Sequence, residues 1–96
     1  MDRSRAAVVS SNLGEYEKLY KRIMLRRSDA SVPFHELCAL LKRLGFTERT
    51  RGDHHIFTTG EVEEILNLQP KSGMAKPYQV RQIRGVLLKY NLRLED

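Results

Sequence analysis

The stretch at residues 46–69, FTERTRGDHHIFTTGEVEEILNLQ, decides the fold. It divides at two turn-forming pairs, Gly52-Asp53 and Gly60-Glu61. A glycine–aspartate pair between runs of strand-forming residues is a strong two-residue hairpin signal. The spacing predicts strands over 46–51, 54–59 and 62–68, although the Glu63-Glu64 pair in the third also permits helix. Alternate side chains of a strand share a face. His54, Ile56 and Thr58 therefore point one way, and His55, Phe57 and Thr59 the other. Phe57, the largest apolar group of the strand, directs its side inward. That places His55 on the inner side near the sheet end, and His54 on the open side beside the hairpin turn. Ile56 argues for the opposite assignment.

Helical patterns flank the strands. Upstream, Phe34, Leu37, Cys38, Leu41 and Leu44 recur as one apolar stripe, with Pro33 at a favourable helix start and Gly45 at its stop. Earlier still, Tyr16, Leu19, Tyr20, Ile23 and Met24 predict a helix over 13–27, opened by an Asn12/Glu15 pair that resembles a capping box. Residues 28–31 read as a turn, and residues 1–12 as a flexible lead-in. Downstream, a loop at 70–76 leads to Pro77, which starts a last helix with Val80, Ile83, Leu87 and Tyr90 on its buried face. Without the first helix the order is α-β-β-β-α, an α+β fold. Two helices cover one face of a three-stranded antiparallel sheet, and the other face stays open.

The totals bound the function. With 96 residues there is room for one small domain, spanning 13–96 after the lead-in. A net charge of +5 suits nucleic acid or an acidic protein partner. Cys38 is the single cysteine, so no internal disulfide forms, which fits a reducing, cytoplasmic setting. It lies in the apolar stripe and reads as a core residue. No run approaches the ~18 apolar residues of a membrane span. Ala6–Val9 is too short to be the apolar core of a secretory signal.

Three readings of the histidines remain open. Two solvated histidines in a hairpin is the plainest. A metal would need three or four ligands from His35, Cys38, His54 and His55, and neighbouring strand residues point apart. The third is general acid–base catalysis, since imidazole exchanges protons near neutral pH. An RNA 2′-hydroxyl attacks its neighbouring phosphate once a base takes its proton. That chemistry needs a histidine and positive charge for the developing oxyanion. Arg49, Arg51, Lys71, Lys76, Arg81 and Arg84 are the cations within reach, although each also reads as an ordinary solvated charge. Tyr78 and Tyr90 read as core residues rather than base-stacking platforms.

The ordered run LKRLGF (41–46), RGDHHIF (51–57), NLQ (67–69) and KPYQVRQIR (76–84) resembles the HicA (YcfA-like) toxin family over residues 32–92. The resemblance implies a double-stranded-RNA-binding-domain-like fold. It implies an mRNA interferase of a type II toxin–antitoxin system, a metal-independent endoribonuclease that blocks translation and is neutralised by a HicB-like antitoxin covering its active site. The family pattern Gly-Ser-His-x-x-(Tyr/Phe) falls on Gly52, His54 and Phe57, so the catalytic histidine carries over to His54, with His55 second. Gly52 and Asp53 would support the site, and Asp53 departs from the pattern where the family carries serine. The implied partners are RNA and the antitoxin, with no metal, cofactor or membrane. The alternatives are a non-catalytic RNA-binding module and a protein-interaction domain using its basic surface.

Overall fold

The computed structural model describes residues 3–95. Helix α1 (Arg3–Met24) leads by way of a short 3-10 turn (Asp29–Ser31) to α2 (Phe34–Arg43). Strands β1 (Thr47–Arg51), β2 (His54–Thr59) and β3 (Val62–Leu68) follow, and α3 (Pro77–Lys89) closes the chain. The sheet is antiparallel in the order β1-β2-β3. The α-β-β-β-α core and its α+β class are thus as the periodicities require, and β3 is a strand despite Glu63-Glu64.

α1 departs from its expected limits. It begins at Arg3, well upstream of residue 13, and its last helical residue is Met24. Residues 1 and 2 of the expected lead-in lie outside the described residues. The remainder continues the helix, and Ala6 and Ala7, strong helix formers, suit that extension. Asn12 therefore sits inside the helix and does not cap it.

All three helices end alike. The amide of Arg27 reaches Arg22 O and that of Arg26 reaches Ile23 O. Phe46 and Gly45 repeat the pattern on Leu41 and Lys42, and Leu92 and Asn91 on Leu87 and Leu88. These are Schellman caps, and the pivot residues Arg26, Gly45 and Asn91 all have positive φ. Arg26 is the pivot that does not announce itself in the sequence, because an arginine adopts this backbone at a cost of about 1–2 kcal/mol, whereas Gly45 and Asn91 are residue types suited to it.

Phe57, Leu66 and Leu68 of the sheet, Leu37 and Leu41 of α2, and Val80, Ile83 and Leu87 of α3 form the dry centre. α1 adds Leu19 and Ile23 to it. Two polar ties fasten α1 further. Tyr20 donates its hydroxyl to Leu92 O at 2.6 Å. Arg84, only 6% exposed, donates to Ile23 O at 2.8 Å and grips both Asp29 oxygens at 3.0 and 2.9 Å. The first helix is built into the domain. No helix among the described residues is long and apolar enough to cross a membrane.

Candidate active site

The candidate site residues gather on the sheet face away from the helices. Arg51 pairs with His54 across β1 and β2, Arg49 with Ile56, and Ile56 with Asn67 across β2 and β3. Side-chain alternation then puts Arg49, Arg51, His54, Ile56, Ile65 and Asn67 on one surface. Ile65 is 63% exposed there. The inner side carries Phe57 and Leu66, both fully buried, which fixes the parity of the two histidines.

His54 opens β2 after the tight turn at Gly52-Asp53. Gly52 has a φ of +60° while Asp53 is not left-handed. Glycine in the first central position is what a II′ hairpin turn requires. The His54 ring is about half exposed. Its Nδ1 lies 3.1 Å from Asn67 Oδ1, and its Nε2 lies 3.9 Å from Asp53 Oδ1, beyond hydrogen-bond reach.

Asp53 is held from the other side. Gln69 donates Nε2–H to Asp53 Oδ2 at 2.7 Å. That hydrogen bond, then the backbone amide and the positive fields of His54 and Lys76, keep the carboxyl below the usual aspartate range. Gln69 is itself gripped by Gln79 of α3, which is 1% exposed. With its amide oriented to meet complementary partners, Gln79 donates to Gln69 O at 3.2 Å and accepts from Gln69 N at 3.1 Å. A chain of contacts thus runs from the core through Gln79 and Gln69 to the anion beside His54.

His55 has a different environment. Its Nδ1 meets Glu48 Oε2 at 2.7 Å, and its ring stands edge-on to Phe34 at 4.9 Å. Glu48 also pairs with Lys42 at 3.1 Å, and its carboxyl is held low chiefly by the His55 bond. Cys38, Glu48 and His55 bring potential ligand atoms within 4.8 Å of one another. Burial pushes the Cys38 thiol up to about 11, so it is protonated, and Glu48 and His55 already satisfy each other. The His55–Glu48 bond joins β2 to β1 within the sheet, and the Lys42–Glu48 ion pair ties it to α2.

The expected phosphate-binding cations separate. On the open face Arg51 stands opposite His54 and Arg49 lies diagonal to it, both on β1, and Lys76 is near enough to act on Asp53. Lys71 sits in the tight turn it forms with Met74. Arg81 lies towards Asp29, whose carboxyl feels its charge. Arg84 is a correction: it is buried, its terminal nitrogens are engaged by Asp29 and Ile23 O, and it is withdrawn from the set. Tyr78 is 56% exposed where a core position was expected, whereas Tyr90 is half-buried with its hydroxyl on Glu64. His35 lines an open cleft of about 330 Å³ between α1 and α2 that shares no residue with the sheet face.

Asn67, Gln69 and Gln79 are the members of this site that the sequence left without a physical role. Asn67 was within reach of the strand pattern, since odd positions of β3 oppose the buried Val62, Leu66 and Leu68.

Residues 34–90 match the family model described as HicA toxin of bacterial toxin-antitoxin. The matched segment is more than half of the chain and contains all three strands, the hairpin turn and α3. No curated protein and no solved structure matches the chain.

Proposed function

The chain belongs to the HicA toxin family of bacterial toxin–antitoxin systems, and from that premise we propose that it is an endoribonuclease, an mRNA interferase that works through His54 without a metal. The observation that carries this is His54 itself: a half-exposed imidazole on an open sheet face, held at one nitrogen, with Arg51 opposite and Arg49 diagonal to it. His54 takes the proton from an RNA 2′-hydroxyl. The freed oxygen bonds to the adjacent phosphorus, and the P–O5′ bond breaks. The products are a 2′,3′-cyclic phosphate and a 5′-hydroxyl, which takes a proton from solvent. Arg49, Arg51 and Lys76 hold the phosphate and offset the charge that builds on its oxygens. The substrate places the activity in the cytoplasm. A HicB-like antitoxin neutralises it by covering the same open face, where Ile65 and the two arginines offer mixed apolar and charged contact.

The direct test is RNA cleavage by wild type and His54→Ala, side by side with EDTA. Wild type cleaves and the variant loses about 10²–10⁴-fold in rate while staying folded. Equal cleavage by the two proteins would sink the mechanism.

Asp53 favours a second reading, a non-catalytic RNA-binding module. It places a carboxylate 3.9 Å from the base nitrogen, where the family pattern has a serine. A carboxylate there repels the RNA phosphate, so Asp53→Ser raises kcat/KM for RNA if wild type is active. RNA binding without cleavage in wild type, with cleavage appearing in Asp53→Ser, selects the second reading.

A further inference from the structure

We propose that Asn67 is the positioning residue that fixes His54 in its Nδ1–H tautomer and so makes Nε2 the nitrogen that accepts the 2′-hydroxyl proton; this rests on the ribonuclease reading above. A neutral imidazole has one N–H donor and one lone-pair acceptor, and the bond made at one nitrogen decides the role of the other. The atom facing His54 Nδ1 is the Asn67 side-chain oxygen, at 3.1 Å. An amide oxygen only accepts, so the proton of the neutral ring lies on Nδ1. The lone pair is left on Nε2. Free imidazole of a histidine side chain prefers the reverse arrangement, with its proton on Nε2. A His54 without Asn67 would carry its proton on the wrong atom for much of the time.

The surroundings oppose that arrangement, which is why a dedicated partner is needed. Asp53 Oδ1 stands 3.9 Å from Nε2 and favours a proton there. Gln69 draws the other oxygen of Asp53 to itself at 2.7 Å. Gln79, buried in the first turn of α3, secures Gln69 in turn. Asn67 therefore keeps the proton on Nδ1 while Gln69 keeps the carboxylate out of hydrogen-bond reach of Nε2. Both residues project from the end of β3, so one strand end sets the ring's tautomer and its electrostatic neighbour.

The test is a long-range proton–nitrogen spectrum of the histidine rings in the ¹⁵N-labelled full chain, recorded at alkaline pH so that the rings are neutral. Wild type, Asn67→Ala and Asn67→Asp are compared, with the backbone amide spectrum as the folding control. Wild type shows His54 as Nδ1–H, and Asn67→Ala moves it to mainly Nε2–H. Asn67→Asp keeps an acceptor and restores Nδ1–H. In RNA cleavage Asn67→Ala lowers kcat about tenfold and leaves KM unchanged, a fraction of what loss of the base removes. A wild-type His54 found as Nε2–H overturns the proposal, because the Asn67 amide is then turned to donate. An Asn67→Ala that loses the tautomer but keeps kcat overturns it as well. A wild type that is Nδ1–H yet inert towards RNA overturns the ribonuclease reading and leaves the tautomer assignment standing.

Discussion

Two adjacent histidines are given opposite environments by strand alternation alone. His54 faces solvent beside two arginines, and His55 faces inward onto Glu48 and the Phe34 ring. The contrast predicts opposite phenotypes. His55→Ala removes a charged-partner hydrogen bond and leaves Glu48 with Lys42 only, so the urea midpoint falls by the equivalent of about 1–2 kcal/mol. Cleavage per folded molecule is unchanged, in contrast to His54→Ala. A loss of cleavage in His55→Ala without a loss of stability would exchange their roles. The outward placement of His54 was legible from the sequence, because Phe57 two residues beyond His55 fixes the inner face. The partners were less so. A simple ladder from the Thr59–Val62 pair would set Asn67 squarely opposite His54. The bulge between Phe57 and Thr59 shifts the register, so Asn67 faces Ile56 and reaches His54 diagonally. Gln69 and Gln79 meet only when α3 folds back, which no local spacing reports.

At the scale of elements, the hairpin turns were the most legible feature, and β2 and β3 have the limits their turn residues impose. α1 was the least legible in its consequences. The sequence shows an amphipathic helix but not what it rests on, since Arg84 finds Asp29 and Ile23 O at separations of 55 and 61 residues. Removing Asp29 leaves the Arg84 charge, whose side chain is 8% exposed, with a single carbonyl partner. Asp29→Ala therefore destabilises the fold by about 2–3 kcal/mol, read from chemical denaturation, with the loosening centred on α1. Hydrogen exchange at Leu19–Met24 rising no more than at β2 would show that α1 is not held this way. The same pair predicts acid sensitivity. The hydrogen bond from Arg84 holds the Asp29 carboxyl below its ordinary value, so its contribution is complete above the unfolded value of about 3.9 and is lost as pH falls through the lower folded value. Glu48, lowered chiefly by His55, acts in the same direction. Stability accordingly falls below about pH 4 in wild type, and Asp29→Ala loses less of its remaining stability over that interval.

For the whole molecule, the net charge of +5 is less informative than where the unpaired part of it lies. Lys42, Arg84 and Lys89 are engaged with carboxylates. Arg49, Arg51 and Lys76 form no ion pair among the described residues and gather around His54 and Asp53. Arg81 is exposed as well, but its field falls on Asp29, on the side where α1 packs. If the open sheet face is the RNA path, only Arg49, Arg51 and Lys76 displace counterions when RNA binds. Single strands lose about 0.7 in the slope of log K against log salt for each phosphate neutralised, so three contacts give a slope of about −2. Arg49→Ala, Arg51→Ala and Lys76→Ala each bring that slope towards zero by about 0.7, whereas Arg81→Ala leaves it as it was. The measurement is RNA affinity across a salt series, made in a His54→Ala background so that the strand stays intact. A slope that answers to Arg81 and not to Arg49 or Arg51 would move the RNA from the sheet to the surface of α3. It would leave His54 without a bound phosphate to act upon, and the ribonuclease reading would fall with the path that supports it.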